Sequence, residues 1–163
     1  MDAIQAIKER HSVRKYQDWP IERAMLENLV DCARLAATAI NIQPWEFVVV
    51  TERAKLSALA ALTDYGRFIA GAAACVAILC RDTKYYLEDG SAATQNLLVA
   101  ATALGLGACW VAGDKKAYAS EVLKLIGAPA DFKLVSLVPL GYPAEDARKS
   151  KRALAEVLHW ESM

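Results

Sequence analysis

Arg10, Ser12 and Arg14 alternate along a polar stretch, residues 10–17, that reads as extended. In an extended chain alternate side chains share one side, which would gather two guanidiniums and a hydroxyl on a single face. Arginine matches phosphate oxygens in a bidentate geometry, so such a face can clamp a phosphate; the same run can also be a solvated surface. Asn41 and Gln43 alternate just ahead of Pro44. Their amides can read the donor and acceptor edge of a heterocycle, or Asn41 can serve the turn before the proline. Lys149 and Lys151 alternate near the C-terminus and can add charge toward an anion or simply solubilise a tail. His11 is a candidate general acid or a structural histidine. Tyr65, Tyr85 and Tyr86 flank apolar segments, where they can line a pocket or sit half-buried.

These clusters need elements to hold them. Residues 2–9 read as a short helix with Ile4 and Ile7 on one face. Asp18-Trp19-Pro20 marks a turn, and Pro20 suits the start of a helix. Leu26, Leu29, Val30 and Ala33 then recur at i, i+3, i+4 and i+7, the pattern of an amphipathic helix. The β-branched and aromatic run 45–50 predicts a strand, 52–62 a helix, and 73–80 a buried strand. Residues 89–104 predict a long buried helix closed by Gly105. A short strand is expected at 108–111, a helix over 115–126 stopped by Gly127 and Pro129, and an apolar strand at 133–140. Strands alternating with helices predict a mixed sheet covered by helices.

Composition narrows the class. The 163 residues carry 19 basic and 19 acidic side chains, which argues against a nucleic-acid binder. No linker or repeat interrupts the chain, so it reads as one domain. Its 55% apolar content exceeds the usual share and predicts a large core, a subunit interface, or both. Cys32, Cys75, Cys80 and Cys109 form no CxxC pair, and only His11 and His159 accompany them, so no zinc site is expected. Cysteines in apolar stretches fit reduced thiols in the cytoplasm, and the charged N-terminal segment is unlike a signal peptide. Residues 90–113 hold no charge, yet their polar groups and glycines fit a buried helix and strand better than a membrane span. There is no GxSxG, GxxxxGK[ST] or GxGxxG, so neither the hydrolase elbow nor the common nucleotide loops are present.

Together the clusters resemble a known family. Arg10-His11-Ser12-Val13-Arg14 resembles the RxSxR/K signature that opens nitroreductase-family proteins. Residues 36–45, with Asn41, Gln43, Pro44 and Trp45, are similar to that family's APSxxNxQPW segment. Residues 89–110 resemble its long central helix ending in GLGxCW, and Gly141-Tyr142-Pro143 and Lys149-Ser150-Lys151 match in order. Two departures stand out: Ala37-Thr38 replaces the usual Pro-Ser, and only residues 81–88 occupy the place where larger relatives insert covering helices.

The resemblance implies an α+β homodimer with two FMN sites at its interface. It implies that Arg10, His11, Ser12 and Arg14, with Lys149 and Lys151, hold the FMN phosphate and ribityl chain. Asn41 would touch the flavin ring or ribityl hydroxyls, with Gln43 close by. Ala112 and Gly113 would lay backbone against the isoalloxazine, the Gly113 amide donating to N5 and Arg14 supplying charge near N1. The implied activity is reduction of a nitroaromatic or quinone by NADH or NADPH through ping-pong exchange, with no side-chain nucleophile, because the flavin carries the redox chemistry. A flavin carrier or sensor without turnover would show the same binding motifs. A flavin-free protein that dimerises through its apolar surface is the other alternative.

Overall fold

The computed structural model describes residues 1–146 and 148–163. Asp2 opens helix α1 (Ala3–Glu9), its carboxylate accepting the Gln5 N–H at 2.9 Å. Helix α2 (Arg23–Arg34) buries Leu26, Leu29 and Ala33, the expected stripe. It begins at Arg23 rather than at Pro20, because Ile21 is drawn into the core and the chain stays extended to deliver it. Strand β1 (Trp45–Val50), helix α3 (Arg53–Leu62) and strand β2 (Ala74–Arg81) follow within a residue or so of expectation.

Helix α4 (Tyr86–Ala103) starts nearly a turn earlier than predicted. It ends in a Schellman closure: Leu106 N–H reaches Ala101 O at 2.8 Å and Gly105 N–H reaches Thr102 O at 3.0 Å. Gly105 takes the left-handed φ of 78° that this closure requires. The single short strand expected next is two, β3 (Gly107–Ala108) and β4 (Val111–Ala112), on either side of Cys109-Trp110. The helix expected over 115–126 shrinks to α5 (Ala119–Leu125), since Lys115 turns left-handed at φ 56° and breaks the run before it starts. Strand β5 (Phe132–Gly141) completes the sheet.

Among the described residues the strands form one sheet in the order β1-β2-β5-β3, with β4 also on β5. The fold is α+β, but the sheet is less mixed than the alternation of elements suggested. Every named strand pair is antiparallel, and parallel pairing is confined to the isolated bridge Ser12–Ala108. Helices cover both faces, which is why β2 is apolar without alternation. Ala74, Val76, Ile78 and Cys80 join α2 and α4 in one core, while Cys75, Ala77 and Leu79 join α3 and α5 in the other. Fully burying a leucine such as Leu29 or Leu137 contributes about 1.5–3 kcal/mol. Among the described residues no helix is long and apolar enough to cross a membrane.

Candidate functional site

Residues 10–17 are not a sheet strand but an extended strap laid beside β3 and the end of β5. Val13 N–H donates to Ala108 O at 3.0 Å, and Gln17 N–H donates to Tyr142 O at 2.9 Å. Val13 is buried, and the half-buried Tyr16 donates its hydroxyl to Val13 O at 2.7 Å, so the strap is pinned from within. Burial pushes the Tyr16 phenol above its ordinary range. With Val13 turned inward, Ser12 and Arg14 lie beside the buried Cys109 between β3 and β4, and Arg10 is near enough for its charge to act on that sulfur. Burial pushes this thiol up, while Arg14, a hydrogen bond with Ser12, and Arg10 pull it back. Arg14 also lies 5.8 Å from the Phe68 ring centroid, within cation–π range.

Next to this face a cavity of about 140 Å³ is lined by Arg14, Phe68, Cys109, Ala112, Lys116 and Tyr118. Ligand pockets run to about 300–1,000 Å³, so this cavity is small beside them. A wider groove of about 640 Å³ lies between α2 and β1, but its charges, Arg23 with Glu27 and Arg34 with Asp31, are already paired.

His11 turns to the returning chain. Its Nδ1 lies 3.0 Å from Glu9 O and its Nε2 3.7 Å from Asp146 Oδ1. That Nε2 is a buried nitrogen without a hydrogen-bond partner among the described residues.

The expected amide at Gly113 is already committed. Its N–H donates to Val135 O at 3.0 Å inside the sheet edge, and is not free to serve a flavin nitrogen. What Gly113 contributes is the absence of a side chain, since a Cβ there would sit 2.5 Å from Leu134 Cγ. Ala112 stays exposed, its carbonyl accepting the Tyr118 hydroxyl. Tyr86, on the first turn of α4, donates to Asp114 Oδ1 and so ties the loop after β4 to that helix.

Asn41 and Gln43 lie in the loop ahead of β1, which is anchored on α4 through Ala39. They belong to a loop around the 3-10 turn Ala39–Asn41 in which Ile40, Asn41 and Gln43 have φ of 47°, 57° and 49°. Non-glycine residues there cost on the order of 1–3 kcal/mol each and persist only where the surroundings dictate them. Thr38 Oγ1 accepts the Gln43 N–H at 3.2 Å, Gln43 Nε2 donates to Asn41 O at 3.3 Å, and Asp89 Oδ1 accepts the Ala39 N–H at 3.0 Å. Asn41 and Gln43 are exposed, and Ile40 is 95% exposed. Arg14 therefore lies on the α3–α5 side while this loop is anchored on α4. No hydrogen bond or ion pair among the described residues joins the two groups.

The tail is exposed throughout. Lys149 and Lys151 lie along it with no ion pair among the described residues, while Arg148 and Arg152 pair locally with Asp146 and Glu156. Leu154, Val157, Leu158 and Trp160 stand open to solvent on the same segment.

A sequence profile for the family described as "Putative TM nitroreductase" matches residues 2–163. The chain belongs to the nitroreductase family. A "Putative NADH dehydrogenase/NAD(P)H nitroreductase" of Methanothermobacter thermautotrophicus is 34% identical over 152 residues, 90% of this chain and 80% of that relative. A crystal structure of the same name from Bacteroides thetaiotaomicron has a TM-score of 0.93 at 31% identity, spanning 99% of this chain and 98% of that one. A "putative nitroreductase in complex with FMN" from Desulfovibrio desulfuricans has a TM-score of 0.88 at 29% identity, over 100% of this chain and 98% of that one.

Two features of this family member escaped sequence reasoning. Cys109 lies beside the basic strap; it stands in the GLGxCW segment, but that match gave it no role at the strap. Asp89 anchors the Ala39 loop from the far side of the chain. Its signal was available, since with Glu88 it heads a helix whose remaining residues hold no charge.

Proposed function

We propose that this chain is a cytoplasmic, homodimeric FMN-dependent oxidoreductase that uses NADH or NADPH to reduce an electron-poor acceptor, a nitroaromatic or a quinone. Residues 1–163 would form its single flavin-binding domain. The observation that carries the reading is the strap: Ser12 and Arg14 beside Cys109, with Arg10 near enough to act on it, next to the exposed Ala112 of β4 and a cavity lined by Phe68 and Tyr118. The names of the relatives, one of them bound to FMN, support it.

These residues fit a flavin nucleotide. Arg10 and Ser12 would grip the phosphate, since a guanidinium and a hydroxyl answer its oxygens with directed donors. His11 keeps the strap's geometry and holds a buried, unpartnered nitrogen beside it. Arg14, resting against Phe68, would set positive charge by the pyrimidine edge, and Ala112-Gly113 would form the wall behind the ring. Because the cavity holds only about 140 Å³ and the Asn41–Gln43 loop faces elsewhere, a second copy would bring that loop, and Lys149 and Lys151 of its exposed tail, to close the site. When bound, the flavin supplies hydride transfer in both half-reactions, donor and acceptor using the same face in turn. The protein's share is to hold the ring flat, exclude water and place fixed charge where electron density grows.

The test is the visible spectrum of the purified protein, followed by anaerobic NADH or NADPH. Flavin absorption that bleaches with either nucleotide is expected. Flavin that stays oxidised with both would point to a carrier or sensor. A colourless protein that takes up no added FMN would overturn the reading.

A further inference from the structure

Asp89 reaches from the core of the fold to the loop that carries Asn41. It stands in the first turn of α4, only 4% exposed, where the helix N-terminus favours its charge. One oxygen accepts the Ala39 N–H at 3.0 Å, across 50 positions of sequence. The other has no hydrogen-bond partner among the described residues, although it is buried. From β2, Cys80 is its neighbour, and the Asp89 charge helps push that thiol up. A half-satisfied carboxylate is a costly filler for a core, so its retained bond to the loop is the thing to account for.

That bond lands where the loop needs it. Ile40 and Asn41, directly after Ala39, are left-handed, and so is Gln43 beyond the right-handed Ile42. Beyond Ala39 the side-chain bonds of this loop among the described residues are its own, Thr38 to Gln43 and Gln43 to Asn41. Among the described residues, Asp89 is the side chain whose hydrogen bond ties the strained segment to the body of the fold.

We infer that Asp89 is the positioning residue of the flavin site: it fixes Ala39, and through it the left-handed turn that presents Asn41 outward to the flavin. The inference rests on the reading of Asn41 under Proposed function. Asp89 itself touches no ligand.

FMN titration of the apoprotein, followed by flavin fluorescence, tests this with Asp89→Asn, Asp89→Ala, Asp89→Leu, Asn41→Ala and the double variant Asp89→Ala/Asn41→Ala. Asp89→Asn keeps an oxygen for Ala39 and should bind FMN within about threefold of the parent, whereas Asp89→Ala and Asn41→Ala should each bind about tenfold more weakly or worse. The double variant should be no weaker than the weaker single one, because both changes remove the same contact. Asp89→Leu fills the volume without an acceptor and should behave as Asp89→Ala, which keeps the test open if the alanine variant does not fold. Parent-like binding by a folded Asp89→Ala or Asp89→Leu protein, losses that add in the double variant, or parent-like binding by Asn41→Ala each overturns the inference. A parent protein that takes up no FMN overturns the functional reading instead.

Discussion

Arg14 is exposed, yet its guanidinium has a surface to rest on in the Phe68 ring and a buried thiol beneath it in Cys109. Such support holds a charged fork ready without a local carboxylate to neutralise it. Replacing it with alanine should weaken FMN binding roughly 10- to 100-fold, the worth of a lost charge-assisted hydrogen bond, and lower the flavin's reduction potential. Arg14→Lys should fall between, keeping charge but losing the planar fork. Equilibrium titration and potentiometry of the two variants would check this, and unchanged affinity and potential in Arg14→Ala would remove Arg14 from the site. The strap was legible because alternation is a one-dimensional property. Cys109 was not, because only the docking of residues 10–17 against β3 puts a sulfur under it.

At the scale of elements, the edge formed by β4 and the loop behind it shows how packing reassigns a residue. Gly113 was expected to offer its amide to the flavin, but Val135 O takes that N–H at 3.0 Å. The glycine is needed for a different reason, the approach of its backbone to Leu134. Gly113→Ala should therefore destabilise the fold by about 1–3 kcal/mol through overpacking, read as a lower denaturation midpoint. An alanine variant as stable as the parent would show that Leu134 can yield. The helix expected from 115 illustrates the same limit. Its sequence permits helix throughout, but Lys115 is turned left-handed and Tyr118 is committed to the Ala112 carbonyl, leaving only α5.

Over the whole molecule the two helical layers bury the central strands from both sides, and with them groups that resist ionisation. Burial pushes the Cys75 and Cys80 thiols up from 9.0 to about 12, and the hydrogen bond to Asp114 pushes the Tyr86 phenol up from 10.0 to about 12. Each folded value lies above the unfolded one. The stability these groups contribute is therefore fully present below pH 9 and lost as pH rises through 9 to about 12. The melting temperature should hold from neutral pH to pH 9 and then fall. A melting temperature unchanged across that upper range would show that these groups ionise without unfolding the protein.

The amino-acid sequence by itself determined the amphipathic stripe of α2, the strands β1, β2 and β5 to within a residue or two, the Gly105 closure of α4, and the residue types of the basic strap and amide loop. All of these follow from local periodicity, caps and composition. Only the tertiary structure decided that strand pairing is antiparallel, that Gly113 is a packing residue, and that Arg14 rests on Phe68 while the Asn41 loop is anchored on α4. Those outcomes depend on which distant segments meet, such as Asp89 with Ala39 or Ser12 with Ala108, and no spacing within one segment encodes them.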